Sequence, residues 1–275
     1  MEKLKRIKNG LIKYFKMIIK FAVNDLKKRY SGSLLGFVWA YVQPLVVILV
    51  WWFVFEVGIK NAPVGNYPFI VFLVPAYVGW TYISDTIMQS SNSLYEYSYL
   101  VKKIKFKIEI LPLVKVASTF FIHLFFVVFA MAIYWIYGFT PSWSWLQLIY
   151  YCFAATVLLA GTSWLVSSLS VFWKDIVQLI NVLLQVGFWL TPVFWNPDTM
   201  DKGSIVLKIL KCNPAYYIVA GYRESLMGVN SEGEQILFFT THLQQTILFW
   251  SITLIVFCLG LLCFKKLSKH YADLL

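Results

Sequence analysis

Charge is scarce in this chain of 275 residues: 13% are Asp, Glu, Lys or Arg, whereas 60% are hydrophobic. A water-soluble domain of this length could not hide that much apolar surface behind so few charges, so a soluble globular class is excluded. Cysteine is equally thin. Cys152, Cys258 and Cys263 fall inside apolar stretches and Cys212 stands alone, which leaves no disulfide framework. His123, His242 and His270 are scattered, so no metal site is expected. The chain has no G-x-x-x-x-G-K-[ST] or G-x-G-x-x-G loop to cradle a nucleotide. It has no H-E-x-x-H helix and no nucleophile elbow, and no catalytic residue is assigned. Its apolar stretches lack the paired carboxylates and arginine ladders of proton-driven carriers and voltage sensors. No internal repeat is evident. A cleavable signal peptide is not expected, because Lys13, Lys16 and Lys20 interrupt the first apolar residues.

What is present is a set of long apolar windows. A helix of about 20 predominantly apolar residues spans a bilayer. Six such windows occur, at roughly 34–55, 68–90, 112–137, 146–172, 177–195 and 245–264. The expected class is therefore an all-α integral membrane protein with six transmembrane helices.

The formal net charge of +11 invites a nucleic-acid reading, but the distribution of the cations argues against one. Ten of the 24 Lys and Arg precede Ser31, five lie between Lys102 and Lys115, one is Lys174 and three follow Phe264. With alternating spans these fall on one side, and Lys60, Lys202, Lys208, Lys211 and Arg223 on the other. The positive-inside rule then makes both termini cytoplasmic, and the basic balance attracts anionic lipid headgroups rather than DNA or RNA.

Residues 11–26 have helical periodicity. Leu11, Phe15, Ile18, Ile19, Ala22 and Leu26 form an apolar face, opposite Lys13, Lys16, Lys20, Asn24 and Lys27. Such a basic amphipathic helix lies in the headgroup plane. Gly32 and Gly36 then allow a sharp turn into the first span. Gln43-Pro44 falls mid-membrane, where a proline removes a backbone donor and a glutamine needs a partner. A kink satisfied by a neighbouring helix and a polar path lining both account for it. Asp85 is the one clear acid within a span, and a carboxylate there faces an interior or an interface.

Residues 93–112 are too charged to cross and have helical spacing, so they read as a cytoplasmic helix or a solvated loop. Lys174-Asp175 makes a tight turn before the fifth span, where Gln178, Asn181 and Gln185 share one face. Polar groups on one side of a membrane helix bind other helices or line a wet path. Residues 196–244 carry Asn-Pro turns followed by apolar patterns of about ten residues, too short to span. They read as an outer re-entrant hairpin with Arg223-Glu224 at or near the surface. Further spans there would place both charges in lipid.

Three stretches carry a resemblance. KKRYSGSLLGFVWAYVQP (27–44), FWLTPVFW (188–195) and NPAYYIVAGYR (213–223) resemble, in order, motifs of the type-2 ABC exporter permeases for bacterial cell-surface polysaccharides. Within that family the chain looks closest to permeases for teichoic acids, O-antigens and related lipid-linked glycans, and residues 54–69, VFEVGIKNAPVGNYPF, with the ending HYADLL suggest the teichoic-acid branch.

The resemblance implies a homodimer in the cytoplasmic membrane, bearing two copies of a separate ATPase that binds ATP and Mg; this chain itself carries no cofactor. It divides the chain into a cytoplasmic segment 1–30, a six-span permease domain 31–264 and a cytoplasmic tail 265–275. It makes 94–109 a coupling helix, with Glu96, Tyr97, Lys102, Lys103 and Lys105 facing the ATPase and Lys174 and Asp175 a minor contact. Arg29, Tyr30, Leu35 and Gly36 would form the entrance for a lipid-linked glycan. Residues 197–226, with Pro197, Asn213, Pro214, Tyr216, Tyr217 and Arg223, would form an outer gate.

Spans one and five would flank the path, since sugar C–H faces stack on aromatic rings while hydroxyls need amide partners. The path residues are then Trp39, Tyr41, Gln43, Trp51, Gln185, Phe188, Trp189 and Trp195. On the same footing Lys27–Arg29 supplies counter-charge to a phosphate-bearing substrate, or simply keeps the amphipathic helix from sinking. An ABC permease for a drug or small lipid is the alternative cargo reading, and an integral membrane glycan or lipid transferase a more distant one.

Overall fold

The computed structural model describes residues 2–58, 68–102, 106–197, 200–201, 204–228 and 243–275. Among the described residues the regular structure is helical throughout. Five helical stretches are long and apolar enough to cross a bilayer: Gly36–Gly58, Phe69–Ser91, Ile110–Ile136, Trp143–Phe172 and Leu243–His270. At 1.5 Å per residue, the shortest reaches about 35 Å, against a hydrocarbon core of about 30 Å.

The chain opens with α1 (Glu2–Arg29), followed by a turn and α2 (Trp39–Trp52), whose last turn widens into a π-helical Phe53–Gly58. Then come α3 (Phe69–Ser91), the short α4 (Ser93–Glu96) and α5 (Ser98–Val101), α6 (Ile110–Ile136) and α7 (Gln147–Phe172). The fifth expected span, α8 (Asp175–Leu190), has 16 residues and falls short of the hydrocarbon thickness on its own. After it come α9 (Ile205–Lys211), α10 (Pro214–Met227), α11 (Leu243–Leu267) and α12 (Tyr271–Leu274).

At the centre stands α3, buried along nearly its whole length against α6, α7 and α10. Helices α7 and α11 cross more closely than side chains would allow. A Cβ on Gly161 would lie 2.6 Å from the Phe257 Cα, and one on Gly260 would collide with the Gly161 carbonyl oxygen. With no methylene between them, the two backbones touch, which is how small residues hold membrane helices together.

Both terminal segments meet at one end of the bundle. There α1 lays Phe21 and Ala22 on Ile110 and Val114 at the base of α6. Tyr271 of α12 is buried with Leu94, Leu100, Leu111 and Phe264. At the other end, Glu56 accepts a hydrogen bond from the Ile70 N–H at 3.3 Å and so caps α3.

The structure alters four readings of the sequence. The apolar face of α1 is split: Ala22 and Leu26 are buried, whereas Ile12, Phe15 and Val23 form an adjoining exposed stripe. The second stripe suits a headgroup layer, while the first is already occupied by α6. Residues 94–109 are not one helix. Tyr97, at φ −111° and ψ 24°, interrupts it between α4 and α5, and Phe106 to Glu109 lie outside regular helix. At the preceding junction, between α3 and α4, Ser93 turns its hydroxyl back to the Ser90 carbonyl, as short polar side chains do at helix ends. Pro214 starts a helix of 14 residues, longer than the expected short hairpin arm, because Asn213 caps it through the Ala215 N–H at 3.0 Å. Lastly, Arg223 is buried rather than at the surface, and Glu224 is half-buried.

The turn after α1 behaves as expected. Gly32 and Gly36 take φ of 95° and 51°, left-handed conformations that other residues adopt only under strain.

Candidate functional site

Three features could do work, and each is built by a different set of helices. The first is a cavity of about 430 Å³ between α2, α3 and α8. Helix α3 turns Tyr77, Trp80, Thr81, Ser84 and Asp85 into it, one face at helical spacing. Helix α8 adds Asn181, Gln185 and Phe188, and α2 adds Trp51. Trp51 stacks on Phe194 at 5.1 Å, which fixes its plane. Trp80 meets Phe188 at 5.9 Å across the gap. Thr81 and Ser84 spend their hydroxyls on the carbonyls of Val78 and Thr81. The carboxylate of Asp85 and the amides of Asn181 and Gln185 are exposed on this wall. The combination of flat rings and convergent polar groups is that of a site for a polar ligand with apolar faces.

Of the path residues named from sequence, the structure brings Trp51, Gln185 and Phe188 together here. It does not bring in the others. Tyr41 lies on Phe125 at 4.4 Å, on the α6 side. Trp39, Gln43 and Trp189 are exposed outside the cavity, and Trp195 folds back to donate to the Trp189 carbonyl at 3.0 Å. Tyr77, Trp80, Thr81 and Ser84 were missed. Their spacing on one face of α3, next to Asp85, is the signal that could have found them.

The second feature is a charged junction at the end that gathers the termini. Lys115 of α6 is buried, yet its Nζ sits 2.6 Å from Asp25 Oδ1 of α1 and 2.5 Å from Glu96 Oε2 of α4. The Tyr97 hydroxyl donates to the same Asp25 oxygen at 2.7 Å, and Arg29 stands 3.6 Å from the other. Burial alone would push the Asp25 carboxyl up, but the Lys115 ammonium, with Tyr97 and Arg29, outweighs it and holds the group below its usual range. Burial and the hydrogen bond to Asp25 together raise the Tyr97 phenol.

Tyr97, named as an ATPase contact, therefore points inward. Glu96 divides its role, paired with Lys115 but with its side chain 42% exposed. Lys102, Lys174 and Asp175 are exposed at this end, whereas Lys103 and Lys105 lie outside the described residues. Of the entrance residues, Tyr30 packs edge-on to Phe37 at 5.8 Å, Leu35 is exposed and Gly36 turns the chain. Asp25 and Lys115 were missed because one sits between the two faces of an amphipathic helix and the other looks like a flanking cation.

The third feature is a brace at the opposite end. Arg223 of α10 donates to the Phe72 carbonyl at 3.1 Å and to the Pro192 carbonyl at 2.7 Å, with its guanidinium 3.5 Å from the Phe72 ring centroid. Asn213 reaches Thr191 at 3.2 Å. Tyr217 shares hydrogen bonds with Tyr150 and Thr246, both at 3.0 Å, while Tyr216 is buried. Pro197 follows the strapped segment and Pro214 begins α10. These contacts tie the end of α8 to α3, α7 and α11.

Regular structure that is helical throughout and five bilayer-length apolar helices, both among the described residues, make this a multi-pass membrane protein. The sequence model of the ABC-2 type transporter family matches residues 19–227, from α1 through α10, and the chain belongs to that family. It is 26% identical over 274 residues to an O-antigen export system permease protein RfbA of Klebsiella pneumoniae, covering 98% of this chain and 99% of that one. A protein of the same name from Myxococcus xanthus is 23% identical over 219 residues, covering 79% and 83%.

Proposed function

We propose that this chain is the membrane permease of an ABC exporter that moves a lipid-linked cell-surface polysaccharide across the cytoplasmic membrane. The observation that carries this reading is the α2–α3–α8 cavity, whose rings and amides suit sugar units, in a chain whose relatives are O-antigen export permeases. A teichoic-acid cargo rests on 54–69 and the C-terminal residues alone; residues 59–67 of that stretch lie outside the described ones. The O-antigen type is therefore the cargo class adopted.

The chain has six spans, with α8 extended by the strapped residues 191–195, and both termini in the cytoplasm. Two copies face each other and two separate ATPase subunits, which bind ATP and Mg, dock on the charged end. Docking falls to exposed groups there: Glu96, Tyr99, Lys102, Lys174 and Asp175. Tyr97 transmits rather than touches. Polar groups on exposed helix faces outside the cavity support a homodimer: Gln43 and Gln178 cannot face lipid cheaply. Arg29, Tyr30, Leu35 and Gly36 sit where a substrate would enter, and the brace around Arg223 closes the outer end.

The test is reconstitution. Purified chain alone hydrolyses no ATP; co-expressed with its ATPase it does, and cells lacking it accumulate lipid-linked glycan on the cytoplasmic side. Normal surface glycan in such cells, with no accumulation, would sink the reading.

A further inference from the structure

Resting on the polysaccharide reading, we infer that the α2–α3–α8 cavity is a sugar-binding subsite that admits uncharged glycan units and rejects anionic ones, with Asp85 as the discriminating residue. Among the described residues Asp85 is the one carboxylic acid lining the cavity, and no Lys, Arg or His lines it. Arg29 is the cation whose field reaches Asp85, and it lies outside the cavity lining, beside Asp25. Any ligand entering therefore meets a carboxylate that the wall does not neutralise.

Three chemical features fit an uncharged sugar ring. Trp51 is held in plane by Phe194 and offers a stacking face. Asp85 has oxygens that accept only, so it suits a pair of hydroxyl donors. Asn181 and Gln185, one turn apart on α8, can each donate and accept, which matches the mixed character of ring hydroxyls. A volume of about 430 Å³ lies within the range of small-ligand sites.

An anionic unit, such as a uronate or a phosphodiester, brings its charge toward Asp85 in a medium of low dielectric. Two like charges about 6 Å apart at an effective dielectric of about 20 lose roughly a hundredfold in affinity, and about tenfold or more survives partial screening by water. A cavity that selected a polyanion would carry a lysine or arginine on this wall. Lys28, Arg29 and Lys115 are gathered instead at the bundle end, outside this lining.

The experiment uses the full chain in nanodiscs at pH 8 and equilibrium dialysis with two probes: a galactose hexamer and a galacturonate hexamer of the same linkage. Wild type binds the neutral hexamer at least about tenfold more tightly. Asp85→Asn brings the ratio close to one, and Asp85→Glu, which keeps the charge, preserves it; unchanged melting and a monodisperse profile certify both variants. A ratio near one in wild type, or a ratio unaffected by Asp85→Asn, overturns the assignment of charge selection while leaving the export reading standing. Binding of neither hexamer overturns the subsite, while the export reading stands or falls on glycan accumulation in cells lacking the chain.

Discussion

Replacing Lys115 by methionine removes a cation that three helices share. The change keeps most of the side-chain volume, so its cost is electrostatic. Asp25, 3% exposed, loses its partner at 2.6 Å and retains the Tyr97 hydroxyl and the more distant Arg29. Leaving a buried charge without its partner costs about 3–5 kcal/mol. Glu96 adds little, because its side chain is 42% exposed and its ion pair is screened by solvent. The expected loss for Lys115→Met is thus about 3–5 kcal/mol, nearly all of it assigned to Asp25.

The assignment is testable in two ways. Adding Asp25→Asn removes the stranded charge while leaving an oxygen for Tyr97, and should recover more than half of the loss in thermal unfolding. The pH dependence should also invert. In wild type the Asp25 pKa is depressed, so its stabilisation is present above the unfolded carboxylate pKa of about 4 and is lost as pH falls below it. Without Lys115, burial dominates and the folded pKa rises, so the variant gains relative stability as pH falls from 7 toward 5. Hydrogen exchange should localise the damage to α1 and residues 93–101. If Lys115→Met melts within the error of wild type at pH 7, or if Asp25→Asn fails to rescue it, the junction is not what holds these elements.

Other outcomes follow from the same contacts. Gly260→Leu inserts a side chain where α11 touches the α7 carbonyls; overpacking of this kind costs about 1–3 kcal/mol, read as a lower melting temperature in detergent. Arg223→Lys should rescue Arg223→Met poorly, because an ammonium cannot reproduce the fork that reaches both the Phe72 and Pro192 carbonyls; limited proteolysis at 191–204 reports the release. Lys102→Glu with Lys174→Glu should slow ATP hydrolysis by the reconstituted complex at least about tenfold with an unchanged melting temperature, whereas wild-type hydrolysis would remove these residues from the docking face.

Helix positions were legible because bilayer spanning demands about 20 apolar residues in a row; five of the six windows coincide with bilayer-length helices, whereas α8 stops at Leu190. Partnerships were not legible. Asp25 and Lys115 lie 90 positions apart, and nothing in the local period of either distinguishes a buried ion pair from two surface charges. The break at Tyr97 was hidden for a related reason: residues 93–102 have helical spacing, but the phenol is drawn inward to Asp25. Arg223 reads as a surface cation because an arginine among apolar residues costs several kcal/mol unless carbonyls receive it, and those carbonyls belong to α3 and to the segment after α8. Within the cavity, Gln185 announced itself as a polar residue on an apolar helix, whereas Trp80 did not, since aromatics make up 19% of the chain.

Burial also separates a rigid part of the bundle from a part that can move. Helix α3 is buried along most of its length, and α7 is fastened to α11 backbone to backbone. By contrast α2 buries only Ala40 and Ile48, and α8 only Ile180. These two helices form two of the three walls of the cavity, so the elements that would have to separate for a polymer to pass are the ones with the fewest internal contacts to break. Their ends are secured unequally. The end of α8 is strapped by Arg223 and Asn213, while its start follows α7 after a single extended residue, Trp173. Within one chain, therefore, the outer end of α8 is held by more side-chain bonds than its start at Lys174-Asp175.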